Sequence, residues 1–154
     1  MRVKILFLIV GFFWLGPTIT NAQLNTYQFE QINSLQKLEK RNVVVFIHTD
    51  WCKYCQAMET TTFKNDSIIK LLNTKFYFID LNAEVKRNIN FQNHLFKYKP
   101  TGTNTGIHEL AEQLGTIEGK VAYPTICILN SDNEIVFQFN QFINSKNLQA
   151  VLAR

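Results

Sequence analysis

The feature that most constrains this chain is the stretch 43–55, which reads VVVFIHTDWCKYC. An apolar, mostly β-branched run at 43–47 predicts a buried strand. A short polar turn follows, and then two cysteines, Cys52 and Cys55, at the start of a segment with the apolar spacing of a helix. We therefore expect a strand that delivers a pair of cysteines to the N-terminus of a helix.

The position of the two cysteines predicts redox chemistry. Unpaired backbone N–H groups give a helix N-terminus a partial positive charge. A cysteine placed there has a lowered pKa and is a better nucleophile at neutral pH. Cys55 follows Cys52 by about one helical turn and can form a disulfide with it.

Other uses of these cysteines have less support in the sequence. A zinc site needs four ligands, and the chain has neither a second C-x-x-C nor an H-x-x-x-H pair. Covalent haem attachment needs a histidine after the second cysteine, where this chain has Gln56. We expect no metal and no other cofactor, while a purely structural disulfide stays an alternative. The third cysteine, Cys127, lies in a hydrophobic strand and is expected to be an inert buried thiol.

The N-terminus has the pattern of a cleaved export signal. Two basic residues precede an apolar stretch, 5–16, that is too short to span a bilayer comfortably. Small residues stand at both positions that matter for cleavage before Gln23. We expect 1–22 to be a signal peptide and 23–154 to be a domain that works in the periplasm or outside the cell. An uncleaved anchor or a buried N-terminal helix is the alternative.

Length and charge fit one globular domain without a nucleic-acid partner. The chain has 154 residues, and 46% of them are hydrophobic. A chain of this length can form one well-buried core but is too short for two domains. The net charge is +4 and falls to +2 when Arg2 and Lys4 are removed with the signal peptide. No cluster of basic residues indicates nucleic-acid binding. No dimerisation segment is evident, so we expect a monomer.

The rest of the pattern predicts alternating helices and strands. Helices are expected at 26–40, 53–73, 107–114 and 146–153, and strands at 43–48, 75–81, 125–129 and 134–139. Asp66 should cap a second part of the helix that follows the cysteines, and Ser145 should cap the last helix. The first two strands, joined by a helix, should be parallel.

The segment 82–105 interrupts this alternation. Two short strands of a hairpin are expected near 88–91 and 95–98. A connection of this length is usually functional or disordered. Because it contains the aromatic residues Phe91, Phe96 and Tyr98, we expect a packed flap that faces the substrate.

The order of these elements and two motifs resemble the thioredoxin fold. The motifs are W-C-x-x-C at 51–55 and Tyr-Pro-Thr at 123–125. The resemblance covers roughly 26–154 and extends to exported members of the superfamily, including the C-terminal domain of the thiol reductant DsbD. It implies an α/β fold with a central mixed sheet of four or five strands flanked by helices, and an insertion before the strand that follows Pro124.

The resemblance also implies roles for individual residues. Cys52 corresponds to the attacking cysteine of the family and Cys55 to the resolving cysteine. Pro124 corresponds to the family's cis-proline, beside which the main chain of Tyr123 pairs with an extended substrate. Trp51, before the first cysteine, is expected to contribute to the same substrate-binding surface.

One position departs from the family pattern. Thioredoxins carry a buried acid six positions before the first cysteine, and this chain has Phe46 there. Three nearby titratable residues could replace the acid and tune the cysteine pKa values, namely His48, Asp50 and Glu59. The sequence does not show which of them does so. The charge of Lys53, between the cysteines, should also favour the thiolate.

These observations predict thiol–disulfide exchange with protein substrates outside the cytoplasm. The Cys52 thiolate would attack a disulfide, and Cys55 would resolve the mixed disulfide. We expect a reductant, which needs a membrane-bound or soluble thiol partner to restore its dithiol. A disulfide oxidase, an isomerase, and a non-catalytic chaperone-like protein with a static disulfide are the alternatives.

Overall fold

The computed structural model of this chain describes residues 23–153. The helices in this range are α1 (Phe29–Leu38), α2 (Lys53–Thr60), α3 (Asp66–Lys75), α4 (Glu109–Gly115) and α5 (Ser145–Leu152), with a 3-10 turn at Thr62–Lys64. The strands are β1 (Asn42–His48), β2 (Phe76–Asn82), β3 (Ile89–Phe91), β4 (His94–Phe96), β5 (Tyr98–Pro100), β6 (Gly106–His108), β7 (Thr116–Ile117), β8 (Lys120–Val121), β9 (Thr125–Leu129) and β10 (Ile135–Phe139).

Four strands form the central sheet, in the spatial order β10-β9-β1-β2. β1 runs parallel to β2 and antiparallel to β9, which in turn pairs antiparallel with β10. The interior strand β1 is buried along Val43–Ile47, as its uninterrupted apolar sequence predicts. The predicted mixed sheet and the parallel pairing of the first two strands are confirmed.

Helices cover both faces of this sheet. Val45 and Ile47 of β1 point to one face, in a hydrophobic cluster that includes residues of α1 and α4. Val44 and Phe46 point to the other face, in a cluster that includes residues of α2, α3 and α5. This alternation is the ordinary two-residue period of a strand, and it places the end of β1 against the start of α2.

The helix predicted at 53–73 is divided into α2 and α3, and the residues that cap α3 and α5 differ from the prediction. Asn65, not Asp66, caps α3, because its side-chain oxygen accepts hydrogen bonds from the N–H groups of Ser67 and Ile68. Asn144, not Ser145, caps α5 in the same way. In both cases the cap is the last residue with extended backbone, one position before the residue that the sequence suggested.

The insertion after β2 forms two hairpins. β3 pairs with β4 across Gln92 and Asn93, which both have positive φ, as a tight hairpin turn requires. Phe91 and Phe96 are buried in the core cluster, and the ring of Phe91 lies 4.9 Å from that of Phe29 on α1. The first hairpin is therefore part of the core. That the insertion faces a substrate stays a prediction.

The N-terminal prediction is not tested by the fold. Residues 1–22, the predicted signal peptide, lie outside the described residues. Within 23–153, no helix is both long enough and apolar enough to cross a bilayer.

The packing of the first hairpin leads to a stability prediction. Phe91→Ala should lower the free energy of unfolding by about 3–5 kcal/mol, because it removes a buried aromatic ring that contacts α1. Leu95→Ala on the paired strand is the matched control, since Leu95 is 47% exposed. It should change stability by no more than about 0.5 kcal/mol. Urea denaturation of the wild type and both variants measures these changes. Phe91→Ala with the same free energy of unfolding as Leu95→Ala would show that the hairpin does not contribute to the core.

Candidate active site

The two cysteines of the motif are joined by a disulfide where β1 leads into α2. Cys52 is the N-cap residue of α2, and Cys55 lies in its first turn. The backbone N–H of Cys55 donates a hydrogen bond to Sγ of Cys52, with an N–S distance of 3.1 Å. A negative charge on Cys52 would therefore be stabilised by a directed N–H group as well as by the helix terminus.

The two sulfurs differ in their surroundings. Cys55 is completely buried, in an apolar cluster that also contains Phe46 and Met58. Cys52 keeps 5% of its surface exposed. Cys52 is therefore the more accessible residue of the pair, as its predicted attacking role requires.

Trp51 is fixed in place beside the disulfide by two contacts, although its side chain is exposed. Its indole N–H lies 3.2 Å from both carboxylate oxygens of Glu84, at the start of the insertion. Its ring meets the ring of Tyr123 edge to face, with 6.0 Å between centroids. Glu84 was not predicted, because nothing in its local sequence shows that it reaches a residue 33 positions earlier.

A second group of residues forms a cleft beside the cis-proline. The Tyr123–Pro124 peptide bond is cis, as the resemblance implied. The cleft has a volume of about 400 Å³ and is lined by Tyr54, Tyr123, Pro124, Asn140, Gln141 and Phe142. Tyr54 and Phe142 are 68% and 41% exposed, so the cleft has an apolar rim. No sequence motif covers 140–142, so these residues were not predicted to line the cleft.

The position of the family's buried acid is filled by an aromatic stack. Phe46 is buried, and its ring stacks on His48 with 5.2 Å between centroids and 12° between planes. Nε2 of His48 lies 2.7 Å from Oδ1 of Asp80, and Nδ1 lies 3.7 Å from Oε1 of Glu59. Of the predicted titratable residues, His48 and Glu59 are thus brought together. Asp80 was missed, because only the register of β1 and β2 places it opposite Phe46.

The charges around His48 determine the direction of its pKa shift. Burial alone would lower the pKa of His48, but the hydrogen bond to Asp80 and the charges of Asp80, Glu59 and Asp50 outweigh it and raise the pKa. Asp50 contributes to this shift only through its charge, since its carboxylate accepts a hydrogen bond from Asn82.

Across 23–153, no three or more His, Cys, Asp or Glu side chains are arranged to hold a metal ion.

The remaining predicted residues lie where the sequence suggested. Lys53 is exposed in the first turn of α2, so solvent would weaken the predicted effect of its charge on the thiolate. Cys127 is fully buried in β9, and burial raises the pKa of its thiol to about 12. It belongs to the hydrophobic cluster on the opposite face of the sheet from Cys52 and Cys55. Its burial and position support the prediction that Cys127 is inert toward the disulfide.

Comparison with known proteins identifies the family. A family described as a thioredoxin-like domain matches residues 28–154. The chain belongs to this thioredoxin-like family. With a disulfide in the family's C-x-x-C motif, it is a thiol–disulfide oxidoreductase.

Several individual proteins are similar to the chain. The thiol:disulfide interchange protein DsbD of Pseudoalteromonas atlantica is 34% identical over 71 residues, which make up 46% of this chain and 12% of that protein. The match therefore spans about an eighth of the relative's length.

Solved structures show the same fold at low sequence identity. The oxidoreductase DsbH has a TM-score of 0.61 and 13% identity over 90% of this chain and 88% of its own. A thioredoxin from Thermus thermophilus has a TM-score of 0.60 and 20% identity, with 85% of each chain covered. The C-terminal domain of DsbD from Neisseria meningitidis has a TM-score of 0.51 and 15% identity over 80% of this chain and 88% of its own.

The environments of the cysteines predict which one reacts. In the reduced, folded protein, iodoacetamide should modify Cys52 alone, because Cys55 and Cys127 are fully buried. Mass spectrometry should find one modified cysteine in the folded protein and three after unfolding. Cys55→Ser should accumulate mixed disulfides with substrates, while Cys52→Ser, its matched control, should not. Mixed disulfides formed through Cys55 would reverse the assignment.

Proposed function

We propose that this chain reduces disulfide bonds of exported proteins outside the cytoplasm, with Cys52 and Cys55 as its redox-active pair. The observation that carries the proposal is the hydrogen bond from the Cys55 N–H to Sγ of Cys52, the residue of the pair that keeps some exposed surface. The sulfur that a substrate can reach is also the sulfur whose thiolate is stabilised.

The reaction proceeds through two exchange steps. The Cys52 thiolate attacks one sulfur of the substrate disulfide, the substrate S–S bond breaks, and the leaving thiolate takes a proton from solvent. Cys55 then loses its proton and attacks Sγ of Cys52, which releases the second substrate thiolate. The substrate gains two electrons and two protons, and the enzyme is left with the Cys52–Cys55 disulfide.

The surface around Cys52 suits an extended, partly apolar polypeptide. Trp51, Tyr54 and Phe142 are exposed. Tyr54 and Phe142 line the cleft beside the cis-proline, and Trp51 contacts Tyr123 of the same cleft. The resemblance to the family implies that the main chain of Tyr123 pairs with an extended segment of the substrate. The cleft of about 400 Å³ can accept a large side chain that neighbours the substrate cysteine.

The proposed direction of the reaction rests on how strongly the thiolate is stabilised. A dithiol becomes a strong oxidant when its reduced form is strongly stabilised. Here the stabilisation comes from one N–H group, the helix terminus and the exposed Lys53, whose contribution solvent weakens. The stabilisation is modest, which favours a reductant. A thiol donor, membrane-bound or soluble, would then have to restore the dithiol after each turnover.

The proposed direction predicts a reduction potential. Equilibration with glutathione buffers should give a value closer to that of thioredoxin, about −270 mV, than to that of DsbA, about −120 mV. Lys53→His is an informative variant, because a histidine is less strongly hydrated than an ammonium and can form a directed bond to the thiolate. It should raise the potential. A wild-type value near that of DsbA would indicate an oxidase.

The proposed location predicts processing of the N-terminus. The mature protein should begin at or near Gln23 and be recovered outside the cytoplasm, because 1–22 has the order of regions of a signal peptide. Ile9→Arg, which interrupts the apolar run, should leave the chain unprocessed. N-terminal sequencing checks both forms. Wild-type protein that keeps Met1 and stays bound to the membrane would show an anchor instead.

A further inference from the structure

His48 lies between two carboxylates that come from different elements of the fold. On one side its Nε2–H donates to Asp80 of β2, with an N–O distance of 2.7 Å. On the other side its Nδ1 lies 3.7 Å from Glu59 of α2. The side chain of His48 is 13% exposed, while those of Asp80 and Glu59 are 46% and 42% exposed. The imidazole is thus held inside, and both of its acidic neighbours reach water.

This cluster of three residues, His48, Asp80 and Glu59, is structurally connected to the dithiol. Glu59 follows Cys55 by four positions on α2, so the two residues lie on the same side of the helix. Phe46, on which His48 stacks, belongs to the apolar cluster that contains both cysteines. The path from the imidazole to the sulfurs therefore runs through apolar side chains, which screen charge weakly, whereas solvent partly screens the two carboxylates at the edge.

The net charge of the cluster depends on His48. With a charged imidazole the three side chains carry a net charge of −1, and with a neutral imidazole they carry −2. Asp50 in the turn before the cysteines adds a further negative charge near His48, and Lys64, which lines the same groove as Glu59 and Asp80, adds a positive one. Negative charge near a thiol disfavours the thiolate and raises the thiol pKa. Protonation of His48 therefore favours the thiolate.

We propose that His48 acts on the dithiol through its charge. Its imidazolium, held by Asp80, offsets the negative charge of Glu59 and Asp80 and so favours the Cys52 thiolate at neutral pH. The proposal deepens the proposed function, because it names the groups that regulate its nucleophile. The carboxylates raise the pKa of His48, so the imidazolium persists over more of the neutral range. As pH rises through the His48 pKa, this support for the thiolate is lost.

The test is the rate of Cys52 alkylation by iodoacetamide as a function of pH, in full-length reduced protein. His48→Gln removes the charge and keeps a polar side chain of similar reach. Below the His48 pKa the variant should react roughly two- to fivefold more slowly than wild type, and above it the two rates should converge. His94→Gln is the matched control, since His94 is exposed on β4 within the insertion, and it should follow the wild-type profile.

Two further variants separate an electrostatic effect from a structural one. Glu59→Gln should change the rate in the opposite direction to His48→Gln, because it removes a negative charge. Asp80→Asn should shift the His48-dependent part of the profile to lower pH, because the imidazolium loses its charged partner. Circular dichroism and thermal unfolding of each variant check that it is folded. These variants keep the test decisive even if His48→Gln itself folds poorly.

The outcomes are distinguishable from those of the proposed function. Equal rates for wild type and His48→Gln at all pH values would overturn the inference, as would a loss of the same size at every pH, which indicates a structural role. Both results leave disulfide reduction by the wild type intact. Failure of the wild type to reduce disulfides would instead contradict the proposed function, whatever its alkylation profile.

Discussion

The chemistry of this protein depends on the junction of β1 and α2. The buried strand ends at His48, and the following turn places Cys52 at the N-cap of α2, where the Cys55 N–H points at its sulfur. The strand is held on both sides, by β2 and by β9, so the junction is fixed by the interior of the sheet. The same geometry buries Cys55 completely and leaves Cys52 5% exposed, which favours different roles for two chemically identical side chains.

The local part of this arrangement could be predicted from the sequence, and the long-range part could not. The apolar run before the cysteines and their spacing predict the strand, the helix and the disulfide without any tertiary information. Asp80 and Glu84 carry no such local signal, because they reach the site only through the register of β2 against β1 and the path of the insertion. The observed caps of α3 and α5 each lie one residue before the predicted ones. At α3, Asn65 and Asp66 are both good cap residues, and only the backbone conformation shows that Asn65 is the extended one.

The absence of an acid at Phe46 changes how charge is distributed around the dithiol. An acid at this position would lie in the apolar cluster with both cysteines, whereas Phe46 keeps that cluster apolar. The titratable groups lie instead at the edge of this cluster, where the carboxylates of Asp80 and Glu59 contact water on either side of His48. The insertion contributes on the other side, because its Glu84 fixes Trp51 while its first hairpin completes the core against α1. The insertion thus contributes both to the hydrophobic core and to the surface around the active site.

The central claim is that the Cys52–Cys55 pair is redox-active and not a static link. The most direct measurement is the reduction of insulin disulfides in the presence of dithiothreitol, followed as the turbidity of the released chains. The wild type and Cys127→Ser should accelerate the reaction equally, because Cys127 is buried on the opposite face of the sheet. Cys52→Ser should not accelerate it above the rate with dithiothreitol alone. Acceleration by Cys52→Ser equal to that of the wild type would contradict the account and leave the disulfide with a structural role.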